Sequence, residues 1–193
     1  MNEIEIRKFA KENYIPIVRP QTCKLLIEKI KEIKPKSILE IGTAIGYSGI
    51  LMLQNCEAHL TTLEKDEKMK QLAQENFKKE NLLERVDLIF GDAFDYIQKS
   101  TQKFDFIFLD GPKGQYAKYL TYLLHLLNND GLMFCDNVLF EGLVQDENAV
   151  IDKKHRTIVN NLRLFLKMVQ ENNDIESEII NIEDGVCLIK NKC

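Results

Sequence analysis

Asp110, Lys113, Asp136 and Asn137 have the types and spacing that chemistry needs. Asp110 follows the run Phe104–Leu109, five apolar residues around Asp105, and the chain then breaks at Gly111, Pro112 and Gly114, with Lys113 among them. Asp136 and Asn137 end a second apolar run, Gly131–Cys135. If these runs are neighbouring strands about 4.8 Å apart, two carboxylates and an amide oxygen meet without any His or Cys. An all-oxygen set suits Mg2+ or another hard divalent cation, with positions left for water or a substrate oxygen. Such a cation stabilises the oxyanion of a phenol-like or enol-like hydroxyl. Lys113 could then accept the proton if the nearby cation depresses its pKa. Taken alone, each residue has an ordinary reading: a strand-end Asp forms turns and caps, and a loop lysine is solvated.

A second set of residues reads as a donor site. Glu40-Ile41-Gly42-Thr43-Ala44-Ile45-Gly46 is neither the GxGxxG dinucleotide fingerprint nor a Walker loop. Its glycines still allow close backbone approach to a ligand. The helix after it presents free N–H groups to an anion, and Ser48 adds a hydroxyl. Glu64 lies about 20 residues further on, where an acid can accept both ribose hydroxyls of a nucleoside. A nucleoside held without a pyrophosphate grip suits S-adenosylmethionine better than NAD. A plain βα turn beside a solvated Glu is the alternative.

The elements that must position these residues alternate in type. Ser37–Ile41, His59–Leu63, Val86–Phe90, Phe104–Leu109 and Gly131–Cys135 read as strands. Helices read over Thr22–Ile33, Tyr47–Asn55, Asp66 to about Asn81, Gln115–Leu127 and Lys153–Gln170, with a short one after Gly91-Asp92. Ile4–Tyr14 opens the chain as a short helix, followed by an extended Ile15–Pro20. Ile175–Ile182 and Val186–Lys190, joined by Glu183-Asp184-Gly185, form a terminal antiparallel hairpin. Five βα units and a hairpin predict an α/β, doubly wound, Rossmann-like and mostly parallel seven-stranded sheet with helices on both faces. Ligands of such sheets bind at the carboxyl ends of the strands. Four of the five parallel strands are followed there by an acid: Glu64, Asp92, Asp110 and Asp136.

Composition sets the outer limits. A chain of 193 residues, 45% hydrophobic and 29% charged, is expected to make one domain spanning 1–193. No apolar run reaches the roughly 18 residues of a membrane span, and the first residues lack the apolar core of a secretory signal. Cys23, Cys56, Cys135, Cys187 and Cys193 show no CxxC spacing. They read as reduced thiols in a cytoplasmic protein, without a disulfide frame or a cysteine zinc site. A net charge of −4 argues mildly against a nucleic-acid partner, though a basic face can hide inside an acidic total.

The motifs EIGTAIGYSGILM, TTLEKDEKM, GDAFD, FIFLDGPKGQY and FCDNVLFEG, in this order, resemble the cation-dependent O-methyltransferases of the catechol and caffeoyl-CoA type. The likeness runs from about Ile17 to the final hairpin. GTAIGYS, LDGPKGQY, DNVLFEGLV and HRTIVNNLRLF are most similar to the bacterial enzymes that methylate 5-hydroxyuridine at the tRNA wobble position. The resemblance implies that Val18, Gly42, Ser48, Glu64, Asp92 and Asp110 contact S-adenosylmethionine, with Glu64 on the ribose and Asp92 near the adenine. It implies that Asp110, Asp136 and Asn137 ligate the metal and that Lys113 stands where the family's proposed base does. Segment 1–34 is shorter than is usual in the family, where this region contributes to the acceptor site and to homodimer contacts. Gly111-Pro112 stands where relatives often have small or aromatic residues.

The acceptor is the open choice between tRNA and a catechol-like small molecule. Lys153–Gln170 carries five Lys/Arg and one His with no acid. Arg156, Asn160, Arg163 and Lys167 share one helical face, and Ile158, Leu162, Phe165 and Val169 the opposite one. A basic stripe backed by an anchored face can contact phosphates; a solvated helix face is the alternative. Wobble-uridine methylation is the leading expectation and a catechol-like acceptor the second. A nucleoside-binding module without turnover is the third.

Overall fold

The computed structural model describes residues 3–146 and 148–192; Cys193 lies outside them. Two helices precede the sheet: α1 over Glu3–Glu12 and α2 over Pro20–Ile33. The strands are β1 (Ser37–Ile41), β2 (His59–Glu64), β3 (Val86–Phe90), β4 (Phe104–Leu109), β5 (Leu127–Asp136), β6 (Ile175–Ile180) and β7 (Val186–Asn191). Between them run α3 (Tyr47–Gln54), α4 (Glu67–Lys79), α5 (Ala93–Ile97), α6 (Tyr116–Leu126) and α7 (Lys153–Glu171). The strand order is β3-β2-β1-β4-β5-β7-β6. β1 to β5 pair in parallel, while β7 runs antiparallel between β5 and β6. This is the expected seven-stranded, mostly parallel sheet. The order reverses between β1 and β4, so ligands belong at the carboxyl ends of those two strands.

Side chains alternate across the sheet and make two apolar layers. Leu39, Ile107, Leu109 and Met133 pack with Leu120 and Leu123 of α6 and Val159, Leu162 and Phe165 of α7. Ile38, Leu60, Phe106, Phe108 and Phe134 pack on the other face with Ile6 of α1, Leu26 and Ile30 of α2, Met52 of α3 and Phe77 of α4. The central strands are hydrophobic throughout because both faces are covered.

Local chemistry sets the element ends. Asp66 caps α4, its carboxylate accepting from the N–H groups of Lys68 and Met69. α1 stops at Glu12, short of the expected Tyr14, which takes φ +54°. α2 begins two residues earlier than expected because Pro20 fits the first helical turn. Its cap comes from the β6–β7 turn, 161 residues on from Thr22: the Glu183 carboxylate accepts from the N–H groups of Gln21 and Thr22 and from the Thr22 hydroxyl. β5 begins at Leu127 rather than Gly131, across an irregularity that pairs Phe104 with Leu127 but Phe106 with Leu132. Gly131 is required there, since a Cβ would stand 2.8 Å from Leu127 Cδ1 and 3.0 Å from the Asp105 carbonyl oxygen. Among the described residues the four cysteines are free, and no helix is long and apolar enough to cross a membrane.

Candidate active site

β4 and β5 are in register at Leu109 and Cys135, so Asp110 and Asp136 leave the sheet side by side. A second link holds them there. The buried Tyr116 hydroxyl, at the start of α6, lies 2.9 Å from the Leu109 carbonyl and 3.0 Å from that of Asp136. Asn137 follows at φ +58°, a conformation Asn tolerates, and its N–H donates to Asp136 Oδ1 at 2.7 Å. Lys113 lies in a short turn before α6 and places Nζ 2.6 Å from Asp110 Oδ1.

The first turn locks onto this corner. Gly42 has φ +102°, and a Cβ on it would stand 2.7 Å from the Asp110 carbonyl oxygen. Gly111 sits as closely on Ile41, whose Cγ2 would lie 2.9 Å from an added Cβ. The glycines therefore interlock the ends of β1 and β4 as well as clearing space for a ligand. Both ends open on one cleft of about 490 Å3.

That cleft gathers Val18, Gly42, Glu64, Asp92, Asp110, Lys113, Asp136 and Asn137. Of the residues expected in the site, only Ser48 stands apart. It does not line the cleft; its hydroxyl donates at 2.6 Å to Glu40, buried beneath the turn. Glu64 lines the cleft while its carboxylate accepts from the Ala44, Lys65 and Asp66 N–H groups, tying the first turn to the second. Asp92 lines it too and caps α5 through the Phe94 N–H.

Electrostatics favour a cation at the Asp110–Asp136 corner. Burial, then the charge of Asp110, pushes Asp136 up to about 7. Burial pushes Asp110 up as well, against the pull of the Lys113 ammonium. Two desolvated carboxylates side by side resist joint ionisation unless positive charge is added. No group of three or more His, Cys, Asp or Glu suited to a metal occurs among the described residues. The oxygen donors expected from the sequence, two carboxylates and the Asn137 amide, all line this cleft, and their hardness would fit a divalent cation such as Mg2+.

Several contributors escaped the sequence reading. Glu40 is fully buried, held by Ser48 and Thr62, and burial raises it to about 7. An acid at the end of a central strand was the available signal. Tyr116 had no signal beyond its place after the GPKG turn. Asp184, in the β6–β7 turn, joins the cleft wall because β7 pairs with β5, which a linear reading does not reveal. Phe140 reaches the cleft on a backbone at φ +47°, followed by Glu141 at +55° and Gly142 at +80°. That is an uncommon conformation for a bulky residue, maintained by its surroundings.

The α7 stripe is rearranged from expectation. Arg156, Asn160 and Lys167 are exposed. Arg163 is tied to the loop after β5: its Nε and Nη2 donate to the carbonyls of Leu143, Val144 and Asp146. His155 stands edge-on to Phe140, 5.4 Å between ring centroids. This helix anchors the loop after β5. Lys118, on α6, lies over the Phe94 ring, 3.4 Å from its centroid, and Arg19 pairs with Asp184 inside the cleft.

Comparison with known proteins gives the family. The model described as O-methyltransferase matches residues 2–192. The chain belongs to the O-methyltransferase family. It is 32% identical over 171 residues to a catechol O-methyltransferase from Niastella koreensis, covering 86% of this chain and 75% of the relative. A Staphylococcus aureus structure with a provisional caffeoyl-CoA O-methyltransferase assignment superposes with TM-score 0.91 at 32% identity, covering 99% and 92% of the two chains. The Bacillus cereus O-methyltransferase in complex with SAH superposes with TM-score 0.87 at 27% identity, covering 98% and 90%. Like them, this O-methyltransferase is built on a Rossmann-like sheet.

Proposed function

We propose that this O-methyltransferase transfers the S-adenosylmethionine methyl group to a hydroxyl of a catechol-like small molecule, with a divalent cation at Asp110, Asp136 and Asn137. The observation that carries it is the single cleft joining the Gly42 turn and Glu64 to the paired ends of β4 and β5. The relative named a catechol O-methyltransferase and the neighbour in complex with SAH support the same reading. Residues 1–193 are taken as one domain whose segment 1–34 contributes to the acceptor side, since Pro16 to Arg19 line the cleft.

Each residue has a role under this reading. Glu64 accepts from the ribose, Asp92 and Tyr119 border the adenine, and Gly42 lets the donor approach the turn. The cation would supply charge that lowers the pKa of the acceptor hydroxyl and competes with Lys113 for Asp110. Nζ of Lys113, 2.6 Å from Asp110 Oδ1, takes the hydroxyl proton once it has left that carboxylate and given a proton of its own to solvent through the open cleft. Tyr116 and the Gly42–Asp110 contact fix the corner, so that catalysis rests on positioning and charge rather than a covalent intermediate.

Wobble 5-hydroxyuridine of tRNA is the second reading, favoured by exposed Arg156, Asn160 and Lys167 on α7. With Arg163 bound to the loop, that surface holds two cations of the stripe rather than three. Calorimetric titration with SAH, followed by mass spectrometry of products from a catechol panel and from tRNA lacking the methyl group, separates the readings. Catechol products support the first. Methylation of tRNA alone supports the second, and SAH binding without transfer to either contradicts both.

A further inference from the structure

The acceptor end of the cleft holds a second cation besides Lys113. Arg19 follows the extended Pro16-Ile17-Val18 wall and lines the same cleft as Asp136, Asn137 and Phe140. Its Nη2 is 3.0 Å from Asp184 Oδ2, and its side chain is 49% exposed. Asp184 is fixed in turn, because its Oδ1 accepts from the Glu141 N–H and its side chain is only 12% exposed. The guanidinium is thus held at one edge by an immobilised carboxylate. Arg carries five N–H donors in a rigid fork, so one pairing leaves donors for a planar anion. Lys113, by contrast, is tied to Asp110 at the reacting end.

We infer that Arg19 is a specificity-determining residue that binds an acidic substituent, a carboxylate, on the aromatic acceptor. The inference rests on the methyltransferase reading above and adds the charge class of the acceptor. The ring would lie against Ile17, Val18 and Phe140, with its hydroxyls toward Asp136 and its acidic group toward Arg19. Lys65 lines the cleft beside Glu64, on the donor side, and Lys113 is tied to Asp110; the acids Asp110, Asp136 and Asp184 disfavour a free anion near them, so discrimination at the acceptor falls to Arg19. Asp184 already compensates part of the Arg19 charge, which limits the expected preference to about tenfold, the scale of one charge-assisted hydrogen bond. Arg19 lies away from the transferring methyl group, so the preference sits in KM rather than kcat.

The test compares 3,4-dihydroxybenzoate with its neutral isostere 3,4-dihydroxybenzamide, using S-adenosylmethionine and Mg2+. The wild type is expected to favour the acid about tenfold in kcat/KM, mostly through KM. Arg19→Gln brings the acid-to-amide ratio near one, and Arg19→Lys, which keeps the charge without the fork, retains only part of the preference. No preference in the wild type overturns the inference, whatever the variants do. An unchanged ratio in Arg19→Gln overturns it as well. Both results leave the methyltransferase reading standing. Transfer to neither compound contradicts that reading and removes the inference with it.

Discussion

Glu40 shows how a residue's surroundings set its chemistry. Its carboxyl accepts from Ser48 and Thr62, yet burial outweighs both and raises it to about 7 from 4.5. An acid whose folded pKa is raised binds protons more tightly in the native state than in the unfolded one. The associated stability is therefore full below about pH 4.5 and lost as pH rises toward 7. Over that window the loss is about 3 kcal/mol at most. Asp136 acts with the same sign in the absence of a cation. Urea unfolding between pH 5 and 7.5 with chelator present should show wild-type stability falling with pH, and Glu40→Gln should flatten that slope. A slope unchanged in Glu40→Gln would place the proton elsewhere. At the reacting corner, Asp136→Ala should abolish cation-stimulated transfer while SAH binding, followed by calorimetry, changes little. Lys113→Met should lower kcat by about a hundredfold or more if Nζ moves the proton. That Asp110 and Asp136 would meet at one cleft was legible because an acid at a strand end in an alternating βα pattern has a known place, and Asn137 came with them as the residue after Asp136. Tyr116 and Glu40 were not legible, since burial and a carbonyl pair reached by a phenol are properties of the folded chain.

Elements act here mainly by holding loops. The β6–β7 turn caps α2 through Glu183 and orients Arg19 through Asp184, so the two ends of the sequence meet at the cleft. Glu183→Ala should cost about 1 kcal/mol in thermal unfolding, the usual effect of losing a helix cap. Gly42→Ala should cost more, because its φ of +102° and the 2.7 Å approach to Asp110 both penalise a Cβ; impaired donor binding should accompany the loss. The α7 periodicity was read correctly as one anchored and one polar face, but periodicity cannot tell a free guanidinium from one bound to carbonyls. Arg163→Ala is accordingly expected to raise the acceptor KM by loosening the Leu139–Asp146 loop, with the effect present for small catechols too. Loss confined to tRNA would restore the phosphate role.

For the molecule as a whole, strand sequence and spacing carried the parallel sheet, its hairpin and the carboxyl-end site. Lateral order and the β5 irregularity came from packing: nothing in a linear reading places β7 between β5 and β6, and that insertion brings Asp184 to the cleft. The Gly42 turn, the paired acids and Pro16 to Arg19 share one cavity at the β1–β4 reversal, and the function proposed for it, cation-dependent transfer to a catechol hydroxyl, is the central claim. The most direct measurement is methyl transfer from labelled S-adenosylmethionine to 3,4-dihydroxybenzoate, first with chelator and then with Mg2+ restored. The account predicts negligible transfer with chelator and recovery on adding Mg2+, with a mono-O-methylated catechol as the product. Undiminished transfer in chelator, or none under either condition while SAH still binds, would contradict it.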